Sequence, residues 1–258
     1  MGDHPCEVEC LHQSMIAKTL DEYCRFLQKD GHIPSAANFQ HYCPLLFRDI
    51  DLRGKSVLDI GGGMGIFSFY CGLQGASDVL CLEPETDGSS AGMVSSFRAV
   101  QDEFGLHQVR LRGDLFQKFD AAGKLYDVVL LHHSINHLDE DACIHLRDSA
   151  KARDSYGEIA KKMAQIMPPG GTLILADCSP SNVFNDLGIQ NPMMKSIEWH
   201  KHQPPEAWTD VFRGAGFDDP KVTWTSFNTL RELGFRLFGN RVAAYLTLSH
   251  FILHLKRR

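Results

Sequence analysis

The sequence predicts an α/β protein built on a parallel sheet with helices on both faces. Three observations lead there. Short apolar segments alternate with helix-length amphipathic segments between residues 56 and 176. A glycine-rich turn, Gly61-Gly62-Gly63-Met64-Gly65, joins the first apolar segment to the helix after it. The segment 126–132 is apolar almost throughout, as a strand covered on both faces must be.

The elements follow in order. Leu11, Met15, Ile16, Leu20, Tyr23 and Leu27 recur at three- and four-residue spacing, which predicts an amphipathic helix over 11–29. A second helix starts near Pro34 and runs to Phe47, so 1–52 form an N-terminal helical cap. The core, 53–178, holds strands at 56–60, 78–82, 109–111, 126–132 and 172–176. Helices are expected at 66–73 and 89–104, and one long helix at 139–167. Pro168-Pro169-Gly170-Gly171 stops that helix, because proline cannot continue it. Residues 179–205 are rich in Pro, Asn and Ser and show no period; a connection this long reads as a substrate-side insertion. The last part, 206–258, completes the sheet with a helix at 206–215, a strand at 221–227 and a strand at 249–255. The whole reads as a single domain.

Composition narrows the partners. The 258 residues carry 26 basic and 32 acidic side chains, a net charge of −6. That argues against a phosphate-tracking surface, so nucleic acid is not an expected partner. The eight cysteines include no Cys-x-x-Cys pair, and Cys71, Cys81 and Cys178 sit inside apolar runs. They read as reduced, buried thiols, which with the lack of a secretory signal gives a cytoplasmic expectation. His4, Cys6, Cys10 and His12 match no common zinc module, and no metal is expected. The stretch 242–255 is interrupted by Ser249, His250 and His254 and is too short and polar to span a bilayer. Residues 230–238 carry Leu230, Leu233, Leu237 and Phe238 beside Arg231 and Arg236. Such a piece suits a membrane surface, but a helix packed between the last two strands is the favoured reading.

The turn after the first strand carries the chemistry. Glycines at 61, 63 and 65 let the backbone approach a ligand closely. A dinucleotide fingerprint requires G-x-G-x-x-G; here the third glycine position holds Ile66 in one register and Ser68 in the other. With Asp59 the pattern is instead D-x-G-x-G-x-G. Val57-Leu58-Asp59-Ile60-Gly61-Gly62-Gly63-Met64-Gly65 resembles motif I of the class I S-adenosylmethionine-dependent methyltransferases. Leu80-Cys81-Leu82-Glu83, Arg112-Gly113-Asp114-Leu115, Tyr126-Asp127-Val128-Val129-Leu130-Leu131, Met167-Pro168-Pro169-Gly170-Gly171-Thr172-Leu173 and Phe212-Arg213-Gly214-Ala215-Gly216-Phe217 resemble later family motifs in the same order. The resemblance covers about 53–258. It implies a Rossmann-like, seven-stranded, mostly parallel sheet whose last strand is antiparallel, and S-adenosylmethionine as cofactor. It implies that Asp59, Gly61, Gly62, Gly63 and Gly65 surround the cofactor. Glu83 would accept both ribose hydroxyls, and Asp114, with Leu115 beside it, would meet the adenine. One histidine of His132-His133 is expected to line the cofactor pocket, and His132 is the choice.

Methyl transfer to a hydroxyl needs a group that removes a proton. His137 is the candidate base, since a neutral imidazole is suited to the task near pH 7. Its setting, Ile135-Asn136-His137-Leu138-Asp139, is similar to the region of plant-type phenolic O-methyltransferases that carries their basic histidine. Those enzymes have Asp-Trp where Leu138-Asp139 stands here. His133 is a further catalytic candidate, and in Trp199-His200-Lys201-His202 either His200 or His202 is an alternative base. Asp177 ends the fifth strand and faces substrate or metal; His133, His137 and Asp177 are good ligand types, though no spacing demands an ion. Base-methylating enzymes usually carry Asn/Asp-Pro-Pro-aromatic after the fourth strand, where this chain has His132-His133-Ser134-Ile135. The expected reaction is O-methylation of a small hydroxylated metabolite or sugar-type acceptor. A nucleic-acid or protein methyltransferase, or a non-catalytic binding domain, is the alternative.

Overall fold

The computed structural model describes residues 20–84, 92–225 and 228–258. Its strands, β1 (Ser56–Ile60), β2 (Asp78–Leu82), β3 (Val109–Arg112), β4 (Val128–His132), β5 (Thr172–Cys178), β6 (Phe217–Trp224) and β7 (His250–Arg257), form one sheet in the order β3-β2-β1-β4-β5-β7-β6. The pairings from β3 to β5 are all parallel, and β7 runs antiparallel to both β5 and β6. The strand order reverses between β1 and β4. At such a switch point the connections leave in opposite directions, and a ligand crevice opens beyond the strand C-termini.

Side chains on each strand alternate between two cores, as the two-residue period of a strand requires. Leu58, Ile60, Val129 and Leu131 face the helices α5 (Glu140–Ile144), α6 (Ala150–Gln165) and α8 (Pro205–Gly214), where Cys143, Tyr156, Met163, Trp208 and Phe212 are buried. Val57, Val128 and Leu130 face the other side, against α1 (20–29), α2 (Ala36–Leu46), α3 (Ile66–Leu73) and α4 (Met93–Phe104), through Tyr23, Leu27, Phe39, Phe69 and Phe97. Among the described residues, three shorter α-helices complete the set: α7 (Val183–Asp186), α9 (Arg231–Phe238) and α10 (Arg241–Tyr245). The cysteines at 24, 43, 71, 81, 143 and 178 are all free and buried. No helix among the described residues is long and apolar enough to cross a membrane.

Several boundaries differ from the sequence reading. The long helix expected at 139–167 is two helices. Ser149 is extended (φ −116°, ψ 126°) and its hydroxyl accepts the Ala152 N–H, so it caps α6 and interrupts the pattern. Asp139 caps α5 in the same way, accepting from the Ala142 N–H at 3.1 Å. The sixth strand starts at Phe217 rather than 221. A register shift between Asp218 and Lys221 accommodates Pro220, which an edge strand with a bulge tolerates. The insertion 179–205 contains α7 and a 3-10 turn, Trp199–Lys201. The amides of Asn182 and Asn191 both donate to the Thr247 carbonyl, which fastens the insertion beside the start of β7. The first part of the helix expected at 11–29, the His4–Cys6–Cys10–His12 group, the start of the helix expected from 89 and the end of the strand expected to 227 lie outside the described residues.

The N-terminal helices pack along one face of the sheet. The Tyr23 hydroxyl donates to the Ile66 carbonyl at 2.8 Å, and the His254 imidazole meets the Leu46 carbonyl at 2.9 Å. Tyr42 on α2 lies against His132 at the end of β4.

Candidate active site

The first group of candidate residues begins with the turn after β1. Gly61 has φ 69°, and a Cβ there would lie 2.6 Å from the Ser134 Cβ. Ser134 cannot retreat easily, because its hydroxyl donates to the Ile60 carbonyl at 2.5 Å. Gly62 is needed for a different reason: a Cβ would meet Asp59 Oδ2 at 2.5 Å and Cys81 Sγ at 2.7 Å. Asp59 therefore sits behind the turn as a brace. It is buried, it accepts from the Ser68 hydroxyl at 2.7 Å, and its Oδ1 has no partner. Burial raises its carboxyl to about 6, since a charged group loses its hydration there.

Glu83 follows β2 and accepts the Gly63 N–H at 2.8 Å. Burial raises its carboxyl above the ordinary range. Asp114 follows β3 and pairs with Arg112. Gly61, Glu83, Asp114 and Leu115 line a cavity of about 370 Å³ together with His133 and His137. The glycine cradle has no space for side chains, Glu83 is an acceptor for a diol, and Leu115 supplies an apolar wall. This set fits an adenosine-type cofactor, within the usual size of a small-molecule site.

A second group lies at the C-termini of β4 and β5. Asp177 is fully buried at the end of β5. His202 Nδ1 is 2.9 Å from its Oδ1, and His133 Nδ1 is 3.7 Å from the same atom. Burial pushes the Asp177 carboxyl up, but the two imidazoles more than offset this and hold it at about 2. Its Oδ2 has no partner. His133 has φ 53°, a left-handed conformation uncommon outside glycine and found disproportionately at functional sites. His132 turns toward the N-terminal helices, with its Nε2 2.9 Å from the Tyr42 hydroxyl and its ring 4.4 Å from that of Phe67. His250, at the start of β7, has Nδ1 2.5 Å from the Thr225 hydroxyl. Burial, reinforced by the charge of His133, pushes His250 down to about 3; burial likewise holds His132 well below the ordinary imidazole range.

The structure thus sorts the sequence candidates. Gly61, Glu83, Asp114, Leu115, His133 and His137 share one cavity, while Asp59 and Gly62 support its floor from behind. His132, expected to line the cofactor pocket, faces Tyr42 instead, and His133 takes the place on the cavity wall. His137 stands on the Glu83 side, with its side chain 63% exposed and 3.7 Å from Glu140. His200 is exposed on its 3-10 turn; its neighbour His202, 13% exposed, is the residue that reaches Asp177. Sequence reasoning missed His250, Tyr42 and Thr225. Antiparallel pairing sets His250 opposite Cys178, and no local pattern announces a contact made that way.

A family model described as a methyltransferase domain matches residues 37–221. The chain belongs to that family. Its members are class I, Rossmann-like enzymes that use S-adenosylmethionine, and the residues that line the cavity described above fit that cofactor. Among solved structures, a putative S-adenosylmethionine-dependent methyltransferase from Listeria monocytogenes is 14% identical, with a TM-score of 0.56, covering 87% of this chain and 100% of that one. A second such methyltransferase, from Mesorhizobium loti, is also 14% identical, with a TM-score of 0.57, covering 86% and 98%. The O-methyltransferase segment named StiE O-MT is 17% identical, with a TM-score of 0.56, covering 88% and 77%. These three share the fold. When bound, the cofactor supplies an electrophilic methyl group on a sulfonium.

Proposed function

We propose that this methyltransferase modifies a hydroxyl oxygen of a small acceptor held between the cofactor cavity and Asp177. One observation carries the reading: a fully buried carboxylate orients an imidazole, His202, at 2.9 Å, beside a second imidazole, His133, that lines the cofactor cavity. In this reading Asp177 accepts the Nδ1–H of His202. That fixes the tautomer, leaves Nε2 free to take the acceptor's hydroxyl proton and stabilises the imidazolium that results. His133 contacts the acceptor and keeps it against the cofactor cavity. His137, first choice from the sequence, is assigned to the cofactor rim near Glu83, and His200 to the surface. The net charge of −6 and the His133-Ser134 sequence after β4 support a small acceptor over a nucleic-acid base. An O-methyltransferase among the structural neighbours agrees with the choice of oxygen, as a fold-level likeness only.

The test is a screen of hydroxylated acceptors for methyl transfer, followed by variants. His202→Ala and Asp177→Asn are each expected to lower the transfer rate roughly 10²–10⁴-fold while leaving calorimetric affinity for S-adenosylmethionine unchanged. His200→Ala is expected to stay within about twofold of wild type, as a surface change should. A loss under tenfold in His202→Ala with a true acceptor would remove it from the role of base.

A further inference from the structure

We propose that His132, His133 and His250 form a binding site for one divalent transition-metal ion of the zinc type, beside the cofactor cavity. The site deepens the acceptor reading above, and rests on it only for what the ion does.

Each of these histidines offers a ring nitrogen within 4.8 Å of the other two. Zinc–nitrogen bonds of about 2.0–2.1 Å in tetrahedral geometry put ligand nitrogens roughly 3.3 Å apart. Small side-chain rotations close that difference. The residues come from two strand ends, the end of β4 and the start of β7, so the backbone that carries them is held by the sheet.

Each ring also has one nitrogen set against a protein oxygen, and in the proposed site its other nitrogen takes the ion. His132 Nε2 meets the Tyr42 hydroxyl at 2.9 Å, His250 Nδ1 meets the Thr225 hydroxyl at 2.5 Å, and His133 Nδ1 faces the Asp177 carboxylate at 3.7 Å. A metal-bound histidine almost always has its second nitrogen held in this manner, which fixes the tautomer and the ring. Asp177 also keeps an unpartnered, fully buried oxygen, a charge whose burial a nearby cation would offset. The three imidazoles crowd together, with ring centres 4.6, 5.0 and 6.3 Å apart, at the edge of an aromatic cluster with Tyr42 and Phe67.

Imidazole ligands suit zinc, copper, iron and nickel rather than magnesium or calcium. Three protein ligands leave a coordination position open, the pattern of catalytic rather than structural sites. His133, 41% exposed, gives that position access from the cavity. The acceptor oxygen binds there. Its proton passes to His202, its lone pair forms the new bond to the methyl carbon, and the electrons of the breaking carbon–sulfur bond return to sulfur. Coordination lowers the acceptor's pKa, so a weakly acidic hydroxyl becomes reactive near neutral pH.

Metal uptake tests the site without any acceptor. The full chain, stripped by a chelator, is titrated with Co²⁺ and followed by its visible absorption, then with Zn²⁺ in competition. One equivalent of cobalt is expected, displaced by zinc. His132→Gln and His250→Gln should each weaken uptake at least ~100-fold, and Tyr42→Phe by roughly 10-fold. His200→Ala should leave it unchanged. Retained affinity for S-adenosylmethionine shows that each variant is folded. No uptake by the wild type, or uptake unchanged in both glutamine variants, overturns the site. Stripped protein that transfers methyl at the full rate overturns the acceptor-binding role. Loss of transfer in His202→Ala is read separately, so failure of the base assignment leaves the metal result standing.

Discussion

At Gly61 one missing side chain decides whether the turn after β1 can form. The position combines φ 69° with a Cβ placement 2.6 Å from the Ser134 Cβ, so alanine meets strain and collision together. Gly61→Ala is expected to lose about 1–3 kcal/mol of stability and at least ~10-fold in cofactor affinity, read by denaturant unfolding and calorimetry. Wild-type affinity would place the cofactor elsewhere. Asp59, behind the turn, carries a pH signature. Its folded pKa of about 6 lies above the ordinary 3.8, so the folded state binds the extra proton between those values. Stability therefore falls as pH rises from about 4 to 6, and the cost is complete above that. Asp59→Asn should remove this slope and add about 3 kcal/mol near neutral pH; a slope that survives the change would assign it to another group. Gly61 and Asp59 were legible because both act within one turn. His250 was not, since its role depends on which strand pairs with β5.

The elements teach a similar lesson. The helix after β1 follows from its apolar run, and α3 has the bounds the sequence predicts, Ile66–Leu73, whereas the sequence does not predict the short α7 and α10. The break between α5 and α6 was hidden because apolar residues continue across it, with Leu146 buried between the two helices. The readable signal was Ser149, a good capping residue inside the pattern. Ser149→Ala is expected to cost about 1 kcal/mol by thermal or denaturant unfolding, with no change in cofactor affinity. A cost near zero would mean that packing of Tyr156 and its neighbours sets the boundary. The loop after β5 shows the reverse case. Its composition marked it as an insertion, but whether His200 or His202 faced inward depended on the turn at Trp199–Lys201.

Across the whole molecule, the half assigned to the cofactor carries local motifs in the sequence, and the half proposed for the acceptor does not. The first is made of consecutive turns after β1, β2 and β3, each with its own local motif. The second is assembled from the ends of β4 and β5, the 3-10 turn of the insertion, α2 and the start of β7. Only the sheet order brings those pieces together. A cofactor that binds only the folded chain stabilises it, so S-adenosylmethionine at a hundred times its dissociation constant should add about 2.7 kcal/mol. For a chain of this length that is a rise in melting temperature of roughly 5–10 °C.

The most direct test of the account is calorimetric titration of S-adenosylmethionine into the wild type and into Glu83→Ala. One-to-one binding is expected in the wild type, weakened roughly 10–100-fold in the variant through loss of a charge-assisted acceptor. No binding by the wild type, or equal affinity in both proteins, would contradict the assignment of this cavity to the cofactor.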